Sequence, residues 1–482
     1  MKGQGFSLDA FKYYNMYAAE TVSYIKSYRQ EKNNLSFFGR AEYVFNNKYI
    51  LNASYRADGA SNFGSGNKWG YFPSVSAGWQ LGDEPWMSWT KPVMNSLKLR
   101  ASWGRTGNDG IGLYKSLKTF ASGKAYVGSE TAEVAIYPSN AGNTGLKWET
   151  TTQSDFGFDA AFFNNRLEVT FDVYSKITTD LLNDITISYT GLGLATATAN
   201  DGCVSNKGVE FYLKGHVIDK KDFFWDTNFS FGYNKNKVEE LGYTAYTTVV
   251  PQGGHQSEQL IRLTEGDAMG SLYAYRWIGI IQEGEEYAPQ PKSQPGDPKF
   301  ADLDGDGVIT TADREVCGVG VPPVQMGWGN TFRFKDFDLS FFFDAALGGS
   351  IYNINTFILE DNDRLKTSGE RWTKANPSTT MQRSDCVLQY GGYVNDHYIE
   401  SSDFLRLSNL EIGYNLPCKK LGLNFMKGLR IYVGGQRLFT LTKYTGFDPE
   451  LNSWGTSDVN QGLDFCAYPS YRSYNCGAKI TF

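Results

Sequence analysis

From about residue 35 to the last residue, apolar and polar side chains alternate with a period of two, and this repetition constrains the fold more than any other feature of the chain. In "YILNASYRA", Tyr49, Leu51, Ala53, Tyr55 and Ala57 share one face, with Asn52, Ser54 and Arg56 on the other. In "LKLRASW", Leu97, Leu99, Ala101 and Trp103 oppose Lys98, Arg100 and Ser102. In "RLEVTFDVYSK", Leu167, Val169, Phe171 and Val173 oppose Glu168, Thr170 and Asp172, and the last strand sets Tyr474, Ala478, Ile480 and Phe482 against Asn475, Lys479 and Thr481. Each run predicts a strand with one apolar and one polar face.

Alternation alone does not separate a soluble sandwich from a membrane barrel. The connections separate them better. Short polar turns at 46–48, 164–165, 219–222 and 335–338 alternate with long irregular segments at 108–148, 178–202, 236–325 and 349–401. Short turns at one rim and long loops at the other are the habit of outer-membrane barrels. Composition agrees: aromatic residues make up 15% of the chain, with 31 Tyr, 32 Phe and 52 Gly, while charged residues are only 20%. The longest strongly apolar stretch, "LSFFFDAAL" at 339–347, is less than half a membrane-spanning helix, which excludes a helical membrane protein and leaves a barrel open.

About thirteen spanning strands are predicted, at 35–46, 48–57, 69–82, 95–107, 149–163, 166–177, 203–217, 223–235, 326–335, 337–348, 402–415, 428–440 and 471–482. The segment "GSLYAYRWIGII" at 270–281 also reads as a strand, but spanning there would reverse the side of every later turn, so it is placed inside a folded extracellular excursion over 236–325. Residues 1–34 read as an extracellular loop before the first complete strand. With the short turns periplasmic, first and last strands both run downward, and an odd strand number cannot close an even, up-and-down barrel. Further strands are therefore expected on the N-terminal side.

Other classes find little support. Net charge is −6 with basic residues scattered, so no nucleic-acid footprint is present. Cys203, Cys317, Cys386, Cys418, Cys466 and Cys476 form no CxxC pair and read as free thiols. His216, His255 and His397 stand without a nucleophile elbow or a zinc-protease helix, and the chain reads as a non-enzyme. "MKGQGFSLDAFKYYN" has no apolar core of the kind a secretory signal needs.

One motif stands apart from the strands. "DLDGDGVITTADRE" places Asp302, Asp304 and Asp306 at positions 1, 3 and 5 of a calcium loop, Gly307 at 6, the Val308 carbonyl at 7, Ile309 at 8 and Asp313 at 12. Three carboxylates on alternate residues can wrap one Ca2+ only if the chain turns sharply, which Gly307 permits. Pro and Gly on both sides break the helices that usually flank such a loop, and Asp313 is shorter than the usual bidentate Glu. A calcium site at 302–313 and an empty acidic surface turn are both open readings. Among the aromatics, Trp454 in "ELNSWGTSD" lies away from any predicted strand and is a candidate substrate platform; the bland alternative for any aromatic here is an interfacial belt.

Five stretches carry a family resemblance. "RADGASNFGSGNKWGYFPSVSAGWQLGDEPWM" (56–87), "GNTGLKWETTTQSDFGFDAAFFNNRLEVTFDVYSKITTDLL" (142–182), "SNKGVEFYLKG" (205–215), "FLRLSNLEIGYNLP" (404–417) and "LRIYVGGQRLFTLTKYTGFDPE" (429–450) resemble the C-terminal barrel of SusC/RagA-type TonB-dependent transporters. "GDPKFADLDGDGVITTADREVCGVGVPP" is similar to the acidic loop many of them carry. The resemblance implies an all-β, up-and-down antiparallel barrel of about 22 strands in the outer membrane of Bacteroidota-like bacteria. It further implies import of glycans or peptides with a SusD-like lipoprotein lid, energised by the inner-membrane TonB complex. The present strands would be the tenth to the twenty-second, with outer-membrane lipid around them. Signal peptide, TonB box, carboxypeptidase-like domain, plug and early strands are not seen, so the expectation is a fragment or separate reading frame of a longer transporter, or else a half-barrel completed by a partner chain. A surface-exposed binding or adhesion barrel without transport is the alternative function.

Overall fold

The computed structural model describes residues 2–6, 19–24, 30–125, 133–187, 194, 196–242, 247–250, 258–361, 369–384, 392–418, 421–422, 425–453 and 459–482. Thirteen strands form one antiparallel sheet in which every neighbour in space is the neighbour in sequence. They are β1 (Asn34–Phe45), β2 (Tyr49–Ala60), β3 (Trp69–Gln80), β4 (Met94–Asn108), β5 (Glu149–Phe162), β6 (Leu167–Thr179) and β7 (Cys203–Lys220). Then follow β8 (Phe223–Glu240), β9 (Val324–Phe334), β10 (Phe337–Leu347), β11 (Phe404–Leu416), β12 (Gly428–Thr442) and β13 (Ser473–Thr481). The ends shift by a few residues from the predicted ones, most at β8, which runs on to Glu240. The sheet edges are β1 and β13.

The short turns explain the tight end of the sheet. Asn46 and Asn47 both adopt positive φ, 52° and 54°, and the Lys48 N–H donates to the Phe45 carbonyl at 3.0 Å, which closes a hairpin matched to the right-handed twist of its strands. Asn164 and Asn165 do the same between β5 and β6, at φ 57° and 62°. Asn tolerates this conformation where β-branched residues do not.

Register then fixes the faces. Val169 pairs with Ala160 and Leu213, and Phe171 with Phe158 and Phe211, the Phe158 and Phe171 rings lying 5.7 Å apart. This apolar face carries aromatic pairs at the short-turn rim: Tyr49 with Trp79 at 6.2 Å, Phe223 with Phe334 at 6.4 Å, and Phe337 with Tyr414 at 4.6 Å. Toward the opposite rim, Phe37 stacks on Trp69 at 6.1 Å and Tyr55 on Tyr71 at 6.2 Å. Two aromatic girdles around an apolar band are what the two interfaces of a lipid bilayer demand. No helix among the described residues is long and apolar enough to cross a membrane.

The long segments are not irregular, as the sequence reading had them; they carry their own small strands. Within 1–34, Lys2–Phe6 pairs with Ala19–Tyr24. Thr119–Ala125 pairs with Glu133–Asn140, and Leu182–Thr186 with Thr196–Asn200. The stretch 270–281 divides into Ser271–Tyr275 and Trp277–Ile280, both outside the large sheet. Ser350–Asn353, Ile399–Ser401 and Leu463–Asp464 form a three-stranded sheet that joins two different loops, and the helix Ile354–Asp361 follows the first of them. The largest dry core therefore sits in this cap of loops rather than in the wall: Leu260, Ile261, Leu272, Tyr352, Ile354, Phe357, Val394, Tyr398 and Leu463 are buried together. The wall residues beneath it remain open, Phe37 at 61% and Ile412 at 53% exposure, as a lipid-facing surface is when only protein is counted.

Candidate functional site

The polar face of the sheet is a continuous wall of hydrogen-bonding groups. Arg100 on β4 lies between Asp159 on β5, 2.8 Å away, and Asp172 on β6 at 3.0 Å. Arg430 on β12 bridges Asp338 on β10 and Glu411 on β11, the latter at 2.6 Å. Near the short-turn rim, His216 Nδ1 and Asp226 Oδ1 are 2.6 Å apart. Each arginine is thus compensated by carboxylates on neighbouring strands, and amides fill the space between: Asn206 accepts from Asn234 and Asn236, each at 3.0 Å.

Glycine makes this face possible in places. A Cβ at Gly208 would meet the Tyr174 hydroxyl at 2.5 Å, and one at Gly477 would meet the Tyr432 hydroxyl at the same distance. The missing side chain lets a tyrosine lie flat across the adjoining strand, so aromatic surface lines the polar side without blocking it.

Above this wall Arg406, only 3% exposed at its side chain, reaches from β11 into the loop after β12. Its guanidinium donates to Asp448 Oδ1 at 2.8 Å, to Glu450 and to Thr440 Oγ1 at 3.0 Å, and stacks over the Phe404 ring at 4.5 Å. Asp448 also accepts from Ser470. This clamp fixes the loop over the polar face and was not found by sequence reasoning, because its partners are far apart in the chain. In the cap, Tyr444 donates to the fully buried Asp464 at 2.6 Å, and burial together with that carboxylate pushes the phenol well above its ordinary range. Burial likewise pushes the Cys317 thiol up to about 11, so it stays protonated and inert.

The predicted calcium loop lies between the strands Pro298–Phe300 and Arg314–Val319, with no long helix on either side. One oxygen from each of Asp302, Asp304 and Asp306 falls within 4.8 Å of the others, which is a hard-oxygen donor set fit for Ca2+. The Asp302 carboxylate accepts from the N–H of Gly305 at 2.8 Å and of Gly307 at 2.9 Å, and both glycines have positive φ, 74° and 84°. Val308, 51% exposed, donates its N–H to Asp306 at 2.8 Å. Asp313 does not join the cluster. It is fully buried and accepts from the N–H of Leu303 at 2.8 Å and of Thr310 at 2.7 Å, completing a capping box over the one-turn helix Thr311–Asp313. A side chain one methylene shorter than Glu reaches the backbone of its own loop instead. Ile309 packs with Tyr275 and Phe300, and Arg314 stacks over Tyr273 and Tyr275 at 5.0 and 5.4 Å, so the anchorage that helices give elsewhere comes here from aromatic rings. Beside it, the Lys299 ammonium at 2.5 Å holds the Glu285 carboxyl below its usual range. Trp454, the candidate platform, lies outside the described residues.

An uninterrupted meander of long strands, girdled by aromatics outside and lined by polar groups inside, defines an outer-membrane β-barrel wall. The sequence matches the family described as TonB dependent receptor-like, beta-barrel over residues 3–313, and the chain belongs to that family of outer-membrane receptors. It is 36% identical to a TonB-dependent receptor of Formosa agariphila over 99% of this chain and 48% of the relative. It is 30% identical to the TonB-dependent receptor SusC of Bacteroides thetaiotaomicron over 95% of this chain and 44% of that one. Among solved structures it resembles the RagAB peptide transporter, at 27% identity and a TM-score of 0.76, over 94% of this chain and 48% of that chain. The chain spans about half the length of the curated relatives it matches.

Proposed function

We propose that this chain supplies barrel wall and outer loops to a TonB-dependent importer that takes glycan or peptide nutrients across the outer membrane. A SusD-like lipoprotein lid closes over its long-loop rim, and the TonB complex supplies the energy. The observation that carries this reading is the continuous wall whose polar face pairs every central arginine with carboxylates and fills the rest with amides, hydroxyls and flat tyrosines. Such a wall offers hydrogen bonds without a strong net charge, which suits uncharged polar cargo. The likeness to a peptide transporter and to SusC supports it further. Deleting the gene should abolish growth on at least one oligosaccharide or peptide mixture supplied as sole carbon source, and the lid lipoprotein should co-purify with the tagged receptor. Unchanged growth on every such mixture, with the receptor normally present in the wild-type outer membrane, sinks the reading.

In the same reading Asp302, Asp304 and Asp306, with the Val308 carbonyl, hold a structural Ca2+, and Asp313 orders the loop from behind. The ion supplies static charge neutralisation; there is no helix pair for it to open. Sites of this extracellular kind have dissociation constants on the order of 0.1 to 1 mM. Calcium should therefore protect the segment 297–320 from limited proteolysis in the detergent-solubilised receptor, and Asp304→Ala should remove that protection while the wall stays intact. Equal cleavage with calcium and with chelator returns the motif to an acidic surface turn.

A further inference from the structure

On the apolar face of the wall, two levels below the long-loop ends of the strands, four neighbouring strands place a row of polar groups side by side. Ser154 on β5 pairs with Ser175 on β6, Ser175 with Lys207 on β7, and Lys207 with Lys235 on β8. Both lysines are exposed, and neither forms an ion pair among the described residues. Directly opposed side chains in a sheet stand about 5 Å apart at Cβ, and like charges so placed repel. Glu239 on this face feels Lys207 without an ion pair to it, and its oxygens are already engaged: one accepts from Ser205 and the other from Lys237, each at 2.6 Å.

The next level toward the short turns is apolar, with Phe156, Val173, Val209 and Tyr233 in the same register. The two levels line one shallow concavity of about 660 Å3. From Phe223 at the short-turn girdle to Lys235 the strand rises about 40 Å, which is about 30 Å along the membrane normal at a tilt near 40°. That is the thickness of a bilayer's hydrocarbon core, so Lys235, with Lys207 beside it, falls at headgroup depth in the leaflet at the long-loop rim, whereas Ser175, eight residues from Leu167 at its own short turn, lies about 10 Å deeper by the same reckoning, and the apolar level falls among acyl chains.

We infer that this concavity binds a phosphorylated lipid of that leaflet, with Lys207 and Lys235 on the phosphate, Ser154 and Ser175 donating beside them, and an acyl chain along Phe156, Val173 and Val209. The anion removes the repulsion that the bare lysine pair carries. The inference rests on the outer-membrane placement of the wall but not on transport.

The test uses the intact receptor in detergent, with bound lipid counted by native mass spectrometry. Phosphatidic acid, phosphatidylcholine of the same chains and inorganic phosphate are the three probes. Wild-type receptor should prefer phosphatidic acid to phosphatidylcholine by roughly thirtyfold, about fivefold for each lysine at an anionic surface. Lys207→Ala/Lys235→Ala should lose that preference, and in lipid-free detergent it should melt no lower than wild type, because a repulsion has been removed. Inorganic phosphate competing as well as the lipid would make this a simple anion site and overturn the proposal. So would equal binding of the two lipids, or an undiminished preference in the double variant. Failure to find the receptor in outer-membrane fractions would instead overturn the placement itself.

Discussion

Phe171→Arg is expected to destabilise the folded barrel by about 2 kcal/mol, the lower end of the cost of an arginine inside the hydrocarbon band on the lipid side. Phe171 stands four residues, about 10 Å along the membrane normal, above Leu167 at the short-turn end of β6, inside the hydrocarbon band, and its ring packs on Phe158. The arginine must carry its charge into hydrocarbon or bend a long side chain out to an interface, and the Phe158 contact is lost in either case. Thr170→Arg, one residue away, turns to the other face, where Thr170 already donates to Asp159 at 3.1 Å. There the new cation meets carboxylates and water, and the expected change is below about 1 kcal/mol. Folding into lipid vesicles across a urea series, read by heat-modifiable mobility, gives both values. Equal tolerance of the two substitutions would mean that the faces are assigned the wrong way round or that no lipid contacts this sheet.

Arg406→Met should cost about 3 kcal/mol, the lower end of the cost of breaking a buried pair, since it removes the principal partner of a carboxylate that stays buried and leaves only Arg437, at 3.5 Å. Asp448 is 5% exposed and depends on Arg406 for its principal ion pair, whereas Glu450 can turn to water. The loss should appear as early protease cleavage in 443–472 and as a lower melting temperature of the receptor. Arg406→Met/Asp448→Asn should recover a large part of it, because the orphaned charge is gone; a coupling of at least about 1 kcal/mol is expected from contacting residues. A single variant within about 0.5 kcal/mol of wild type, or a double variant that is simply the sum of the two, would show that the clamp is decorative.

The wall was legible in the sequence because its signal is local. A period of two and a short polar turn, such as the Asn pairs at 46–47 and 164–165, are written within a dozen residues, and they located the thirteen strands to within a few positions. The cap was not legible in the same way. "SLYAY", "SIYN" and "LD" are too short to show a period, and their pairing joins segments from different loops. Arg406 reads as one more polar residue on an alternating strand until the chain returns with Asp448. Lys207 and Lys235 likewise read as ordinary strand lysines until register sets them opposite one another. In the acidic loop 302–313, spacing foretold the convergence of Asp302, Asp304 and Asp306. It did not foretell that Asp313 turns inward, because that depends on how far one side chain reaches.

The cap's core joins Leu260 and Ile261 to Tyr352, Val394 and finally Leu463, residues contributed by three excursions separated by whole hairpins of wall. Contacts of such long sequence separation form late, since the loop-closure entropy must be met before any of them is rewarded. Leu463 follows β12 in the chain, so the complete core needs the excursions after β8, β10 and β12 brought together by the strands between them. The topology thus carries the cap's apolar segments on separate hairpins of the wall, and the register of the strands beneath them is what brings those segments together into one core.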